Sequence, residues 1–275
     1  MSRHPRGMAW DEPWEPAELA LPPSTASSSA VPVPIQDVVE GNLEVNDAGS
    51  FFVVSHTHPL PTGLQAGWPD AAARRALVAL TGDGAFQDFE IDRALFVDTE
   101  TTGLAGGTGT YAFLVGCGWL EAGALRVDQC FMRDHGDEPA LMAHVAGLAR
   151  RFDWTVSFNG RRFDLPLLRT RSIMNRVQGS FDALGALDLL LVARRLWRYR
   201  FRRCDLDTLE HEILAVRRNM DIPSSEIPHV YFHYLRTGDA RSLIPVMAHN
   251  RQDIVSMASL LARVCEAWNS WNDPN

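Results

Sequence analysis

FVDTETTGLAGGTGTYAFLVG, residues 96–116, decides the fold class. An apolar run ends in the acids Asp98 and Glu100, a Gly-rich loop follows, and a second apolar run begins at Tyr111. RALFVDTE (93–100) has the pattern of a buried strand entered from Arg93 and left through its acids. TYAFLVGCGWLEAGALRVDQCFMRD (110–134) predicts two further strands, with Glu121-Ala122-Gly123 as the turn between them. The loop TTGLAGGTG (101–109) lacks the Lys-Ser/Thr ending of a P-loop, but its glycines allow backbone N–H groups close to a ligand.

Downstream, the pattern alternates. Glu138–Arg151 is predicted helical, WTVSFNG (154–160) is a short buried strand, and Phe163–Asn175 is a helix. A helix over Leu187–Arg203 follows a very short strand. Asp205–Leu214 (capped by Asp205), Pro228–Leu235 and a long final helix over Arg241–Trp268 complete the chain. Pro245 falls in the first turn of the last helix, where it is tolerated. Three hairpin-linked strands followed by βαβ-like crossovers imply an α/β fold. Its mixed sheet has three antiparallel strands, then parallel ones, and is flanked by helices, with a helical C-terminal portion.

Upstream, residues 1–40 are rich in Pro, Ser and Ala and read as a disordered tail. Residues 41–91 hold a hairpin with Asp47-Ala48-Gly49 as its turn, then a helix over Asp70–Thr81, and read as an N-terminal extension. The catalytic domain is expected over 92–268.

Three acidic segments stand out. In Asp98-Thr99-Glu100, residues i and i+2 of a strand share a face, so two carboxylates repel unless a cation lies between them. In FNGRRFD (158–164), Asn159 ends a strand and Asp164 opens a helix, where an Asp equally serves as a cap. In HNRQD (249–253), Asp253 sits on the long helix, a place that equally suits a solvated acid.

In this order and context, the three segments resemble the exonuclease motifs of the DEDD (DnaQ-like) superfamily, which has a ribonuclease H-like fold. The resemblance is closer to its YprB-like branch of predicted exonucleases. It extends through LDLLLVARRLW, CDLDTLE, IPHVYFHYLRTGD and HNRQDIVSM and covers about residues 93–264. The resemblance implies that Asp98, Glu100, Asp164 and Asp253 bind two Mg²⁺ or Mn²⁺ ions and work in catalysis. Hard divalent ions take oxygen ligands, and a pair of them can activate a water and stabilise a leaving oxygen. It also implies substrate contacts from Thr101, by its backbone, and from Leu104, as an apolar wedge, with Asn159 in its usual place before the second acid.

The proton acceptor of such enzymes comes from the third motif, as a His with four residues before the Asp or a Tyr with three. Here His249 takes the Tyr spacing. Residues four apart share a helix face, so His249 can reach the same site as Asp253. It can deprotonate the water, orient it, or hydrogen-bond substrate.

RRLWRYRFRR (194–203) interleaves six Arg with Trp197, Tyr199 and Phe201. Arg194 and Arg198 are candidate contacts to single-stranded nucleic acid, by phosphate pairing and base stacking. A helix C-terminus that favours cations is the alternative. Net charge is −8, but residues 1–91 carry 4 Arg against 12 Asp and Glu, while 92–265 carry 22 Arg against 20. The acidity therefore belongs to the N-terminal part.

No apolar run reaches the length of a membrane span, the N-terminus lacks the apolar stretch of a secretory signal, and four scattered Cys fit a reduced cytoplasm. The expectation is a cytoplasmic, metal-dependent nuclease that takes a single-stranded end of DNA or RNA, most simply a 3′→5′ exonuclease. An endonuclease, or a non-catalytic nucleic-acid-binding module, remains an alternative.

Overall fold

The structure, a computed structural model, describes residues 32–61, 63–64, 68–103, 108–178, 181–218 and 222–272. Seven strands form one mixed sheet in the order β1-β2-β5-β4-β3-β6-β7. They are β1 (Asn42–Asn46), β2 (Gly49–Pro59), β3 (Ala94–Thr101), β4 (Ala112–Glu121), β5 (Ala124–Phe131), β6 (Trp154–Ser157) and β7 (Gly185–Asp188). The first five pair antiparallel, while β3–β6 and β6–β7 pair parallel. This is the mixed ribonuclease H-like sheet expected from the sequence. The turn between β4 and β5 puts both Ala122 and Gly123 at positive φ, the backbone twist that closes a two-residue hairpin.

Strand β3 is central, and its alternation sorts side chains between two cores. Leu95 and Val97 enter the core beneath α2 (Glu138–Ala149), α3 (Asp164–Met174) and α6 (Ile227–Thr237). Ala94 and Phe96 enter the opposite core, beneath α1 (Ala71–Thr81), α4 (Leu189–Trp197) and α7 (Ile244–Asn272). Helix α1 is capped by Asp70, which accepts from Ala73 N at 2.7 Å, and closes on Gly82 in the left-handed region.

How close α7 lies to the sheet depends on two glycines of β4. A Cβ on Gly116 would stand 2.5 Å from Asn250 Oδ1, and one on Gly118 2.4 Å from Ile254 Cγ2. Gly116 and Gly118 share one face of β4, and Asn250 and Ile254 share one face of α7. The missing side chains let the helix pack down one turn at a time.

Several boundaries differ from the sequence expectation. The hairpin of the supposed extension joins the sheet, because β2 pairs with β5 along eight residues. Residues 1–31 of the expected tail lie outside the described residues. Its last part is tied down: Ile35 is buried in the first core, and Val33 O accepts from Ala240 N at 2.8 Å. The apolar residues of VPIQDVV (33–39), interrupted by Pro34, follow neither a helix nor a strand period, so the sequence could not reveal this. Helix α4 ends at Trp197 rather than Arg203, since beyond it aromatics recur every second residue and no helix face can gather them. The helix expected over 205–214 is a short α5 (Leu206–Leu209), capped by Asp205, that passes into a π turn over Glu210–Leu214.

Tyr231 and Tyr234 of α6 are core residues. Tyr231 stacks on Phe113 with ring centroids 3.9 Å apart, and its hydroxyl donates to Met132 O. Among the described residues no helix is long and apolar enough to cross a membrane.

Candidate active site

Strand β3 delivers Asp98 and Glu100 to the end of the sheet, α3 begins there with Asp164, and α7 runs past with His249 and Asp253. All five side chains line one cavity of about 350 Å³, with Thr101, Arg162 and Phe163 around it. Asp98 and Asp253, 155 residues apart in the chain, thus converge. Asn159, Arg194 and Arg198 do not line this cavity; they line another, with Phe158 and Phe201. Leu104 lies outside the described residues.

Three of the four acids are held by hydrogen bonds from neighbours. Asp98 Oδ2 accepts from Asn250 Nδ2 at 2.8 Å. The fully buried Asn250 in turn accepts from Gln129 Nε2 at 2.9 Å. The register explains the reach: Asp98 pairs with Gly116, whose missing side chain leaves room for the Asn250 amide. Asp164 Oδ1 accepts from Thr99 N at 3.0 Å and from Thr99 Oγ1 at 2.5 Å. The Asp164 carboxylate thus reaches across from the start of α3 to β3. Asp188 caps the next helix, α4: it accepts from Leu190 N at 3.1 Å, and also from Asn159 N at 2.8 Å. That second bond holds Asn159 in the left-handed region at φ 66°, which starts the turn into α3.

Arg218 ties down Asp253. Its guanidinium meets the buried Glu210 of the π turn through two parallel bonds, at 2.5 and 2.7 Å, and Nη2 also donates to Asp253 Oδ1. Arg218 Nη1 lies 3.1 Å from His249 Nδ1. Arginine only donates, so Nδ1 accepts, and neutral His249 carries its proton on Nε2. Nε2 stands 3.6 Å from Asp253 Oδ2 and 3.9 Å from Glu100 Oε1. In this conformation His249 therefore offers the cavity a donor.

Like charges crowded in a desolvated cavity resist ionisation. Burial lifts the Asp98 carboxyl well above the ordinary range, and the charges of Asp253, Asp164 and Glu100 add to it, while the Asn250 bond opposes. Burial pushes Asp164 up to about 6 against the bonds from Thr99. Burial also raises Asp253, opposed chiefly by Arg218 and His249.

The donor chemistry fits a hard divalent cation: four carboxylates, no thiolate, one imidazole. Their present placement does not preform such a site. Among the described residues no three His, Cys, Asp or Glu side chains converge closely enough to hold one ion. Asn250, Thr99 and Arg218 hold three of the acids apart.

A family model of the RNase_H superfamily, RNase_H_2, matches residues 95–265, a stretch that runs from β3 into α7 and contains every acid of the cavity. The chain belongs to the RNase_H superfamily. Nucleases of ribonuclease H-like fold generally use divalent metal ions. The chain is also 37% identical over 168 residues to a protein of Bacillus subtilis (strain 168) named uncharacterized protein YprB. That alignment covers 60% of this chain and 40% of the relative, so the chain spans about two fifths of the protein it matches.

Sequence reasoning on this RNase_H chain missed Arg218, Glu210, Gln129 and Gly116. Asn250 lies within HNRQD, between His249 and Asp253. Arg218 sits in irregular chain with no repeat or spacing to mark it, and Glu210 reads as one more polar residue of a predicted helix. Asn250 had a signal: an amide three residues before Asp253 falls on the helix face that meets the sheet.

Proposed function

We propose that the chain is a DEDD-type 3′→5′ exonuclease that hydrolyses phosphodiester bonds at single-stranded nucleic-acid ends. The observation that carries this reading is the convergence of Asp98, Glu100, Asp164 and Asp253, from three distant motifs, on one cavity beside His249. Two Mg²⁺ or Mn²⁺ ions held by these four carboxylates would supply water activation and charge neutralisation at the phosphate.

The chain's own residues prepare that site. Asn250 and Thr99 keep Asp98 and Asp164 at the cavity through hydrogen bonds, and the carboxylates would draw together from these bonds when a cation arrives. His249 assists the attacking water. With Arg218 on Nδ1 it orients the water as a donor, and it accepts a proton through Nε2 only in the other tautomer, when Arg218 has left. Thr101, whose hydroxyl donates to Gly103 O at 2.9 Å, presents the loop backbone to the terminal nucleotide, and Leu104 of the same loop packs beside the terminal base. Asn159, Arg194 and Arg198 contact substrate away from the scissile bond.

The test uses linear and circular single-stranded DNA and RNA with Mn²⁺. An exonuclease shortens the linear strand stepwise and leaves the circle intact. Cleavage of the circle would replace this reading with an endonuclease. Intact substrates, with no heat on titration with Mn²⁺, would replace it with a binding module.

A further inference from the structure

The carboxylate cavity is one of three that share walls. It shares Ser224, His249 and Asp253 with a second, of about 520 Å³. The second shares Arg203, Asp205 and Leu206 with a third, of about 770 Å³. Charge changes sign along this path. Acids dominate the first cavity, Arg218 and Arg203 enter in the second, and Arg194, Arg198, Arg202 and Arg203 line the third. Arg203 pairs with Asp205, whereas Arg194, Arg198 and Arg202 have no carboxylate partner among the described residues. Uncompensated guanidinium groups on an exposed rim, beside Phe158 and Phe201, match the phosphates and bases of a single strand.

We propose that the three cavities form one track for a single-stranded nucleic acid. The 3′ end lies at the carboxylates, the chain passes Ser224 and Arg218, and the phosphates on the 5′ side rest in the basin of Arg194, Arg198 and Arg202. The end of α4 at Trp197 builds this basin, because the turn over 198–200 fans its arginines instead of stacking them on a helix. The proposal rests on the nuclease reading of the carboxylate cavity.

The test is fluorescence anisotropy on the whole chain in EDTA, with labelled oligothymidylates of about 3, 6 and 12 nucleotides, across a salt series. Arg198→Ala with Arg202→Ala is compared with wild type. Arg241→Ala with Arg263→Ala removes the same charge from exposed positions off the track. Two lost phosphate contacts should reduce the slope of log K against log salt by about 1.4 for the longest strand. The affinity loss should grow with strand length, and the control pair should leave the slope unmoved.

Equal slopes in wild type and the basin variant would overturn the track, as would an equal effect from the control pair or no binding by wild type. A parallel assay of nucleotide release with Mn²⁺ separates the two claims. Release by wild type with equal slopes overturns the track and leaves the nuclease reading standing. A changed slope without release from any substrate overturns the nuclease reading, and the track with it as a route to a reacting end.

Discussion

Asp164→Asn should make the metal-free protein more stable at neutral pH, and the structure sets the size of the effect. Burial holds the Asp164 carboxyl at about 6 against an ordinary value of 3.8. At 1.36 kcal/mol per tenfold, that difference is about 3 kcal/mol. The folded chain keeps the proton until about pH 6, while the unfolded chain has lost it near 3.8. Between these values the folded state binds more protons, so stability falls as pH rises, and above about 6 the full cost is present. An Asn cannot ionise and still presents Oδ1 to Thr99.

In EDTA the variant should therefore match wild type near pH 4 and exceed it at pH 8 by up to about 3 kcal/mol. For a unit of this size that is a rise in Tm of about 6–12 °C. Thermal melts by circular dichroism from pH 4 to 8 measure it. Mn²⁺ at pH 8 should raise wild type more than the variant, since a cation among the acids stabilises the buried charge that Asn lacks. A Tm difference that does not change with pH would refute the reasoning.

Three further outcomes follow from the supporting contacts. Gly116→Ala should push Asn250 off Asp98, cost about 1–3 kcal/mol in a denaturant titration and lower nucleotide release; wild-type activity would show that the Gly116 gap does not serve the site. Arg218→Ala leaves Glu210 buried without its two guanidinium bonds and should destabilise by about 3–5 kcal/mol, with Arg218→Ala plus Glu210→Gln recovering part of it; an unchanged urea midpoint would contradict the buried pair. His249→Ala should lose about 10²-fold or more in activity. Retention in His249→Tyr would place the residue in the Tyr-type geometry, while full activity in His249→Ala removes it from the reaction.

The sheet was legible because β3 and β4 are apolar runs beside Gly-containing turns and β5 alternates apolar with polar residues, patterns that leave little choice but a strand. The acids were legible because Asp98, Glu100 and Asp164 stand where an element starts or ends, and with Asp253 on the long helix they follow an order that a family shares. Helix ends were less so: Trp197 to Arg203 has helix-forming composition, and only its alternation shows that it leaves the helix. The supports were not legible. Arg218 reaches Asp253 across 35 residues of sequence and Asn250 reaches Asp98 across 152, distances at which no local pattern constrains a partner. The His249 spacing was visible, but its tautomer depends on Arg218 and could come only from the fold.

The most direct measurement is the release of nucleotides from a 5′-labelled single strand with Mn²⁺, by wild type and by Asp98→Ala purified side by side. Wild type should give a ladder of shortened 5′-labelled products that EDTA abolishes, and Asp98→Ala should give none. Equal ladders from the two proteins would show that the carboxylate cavity is not where the bond is broken.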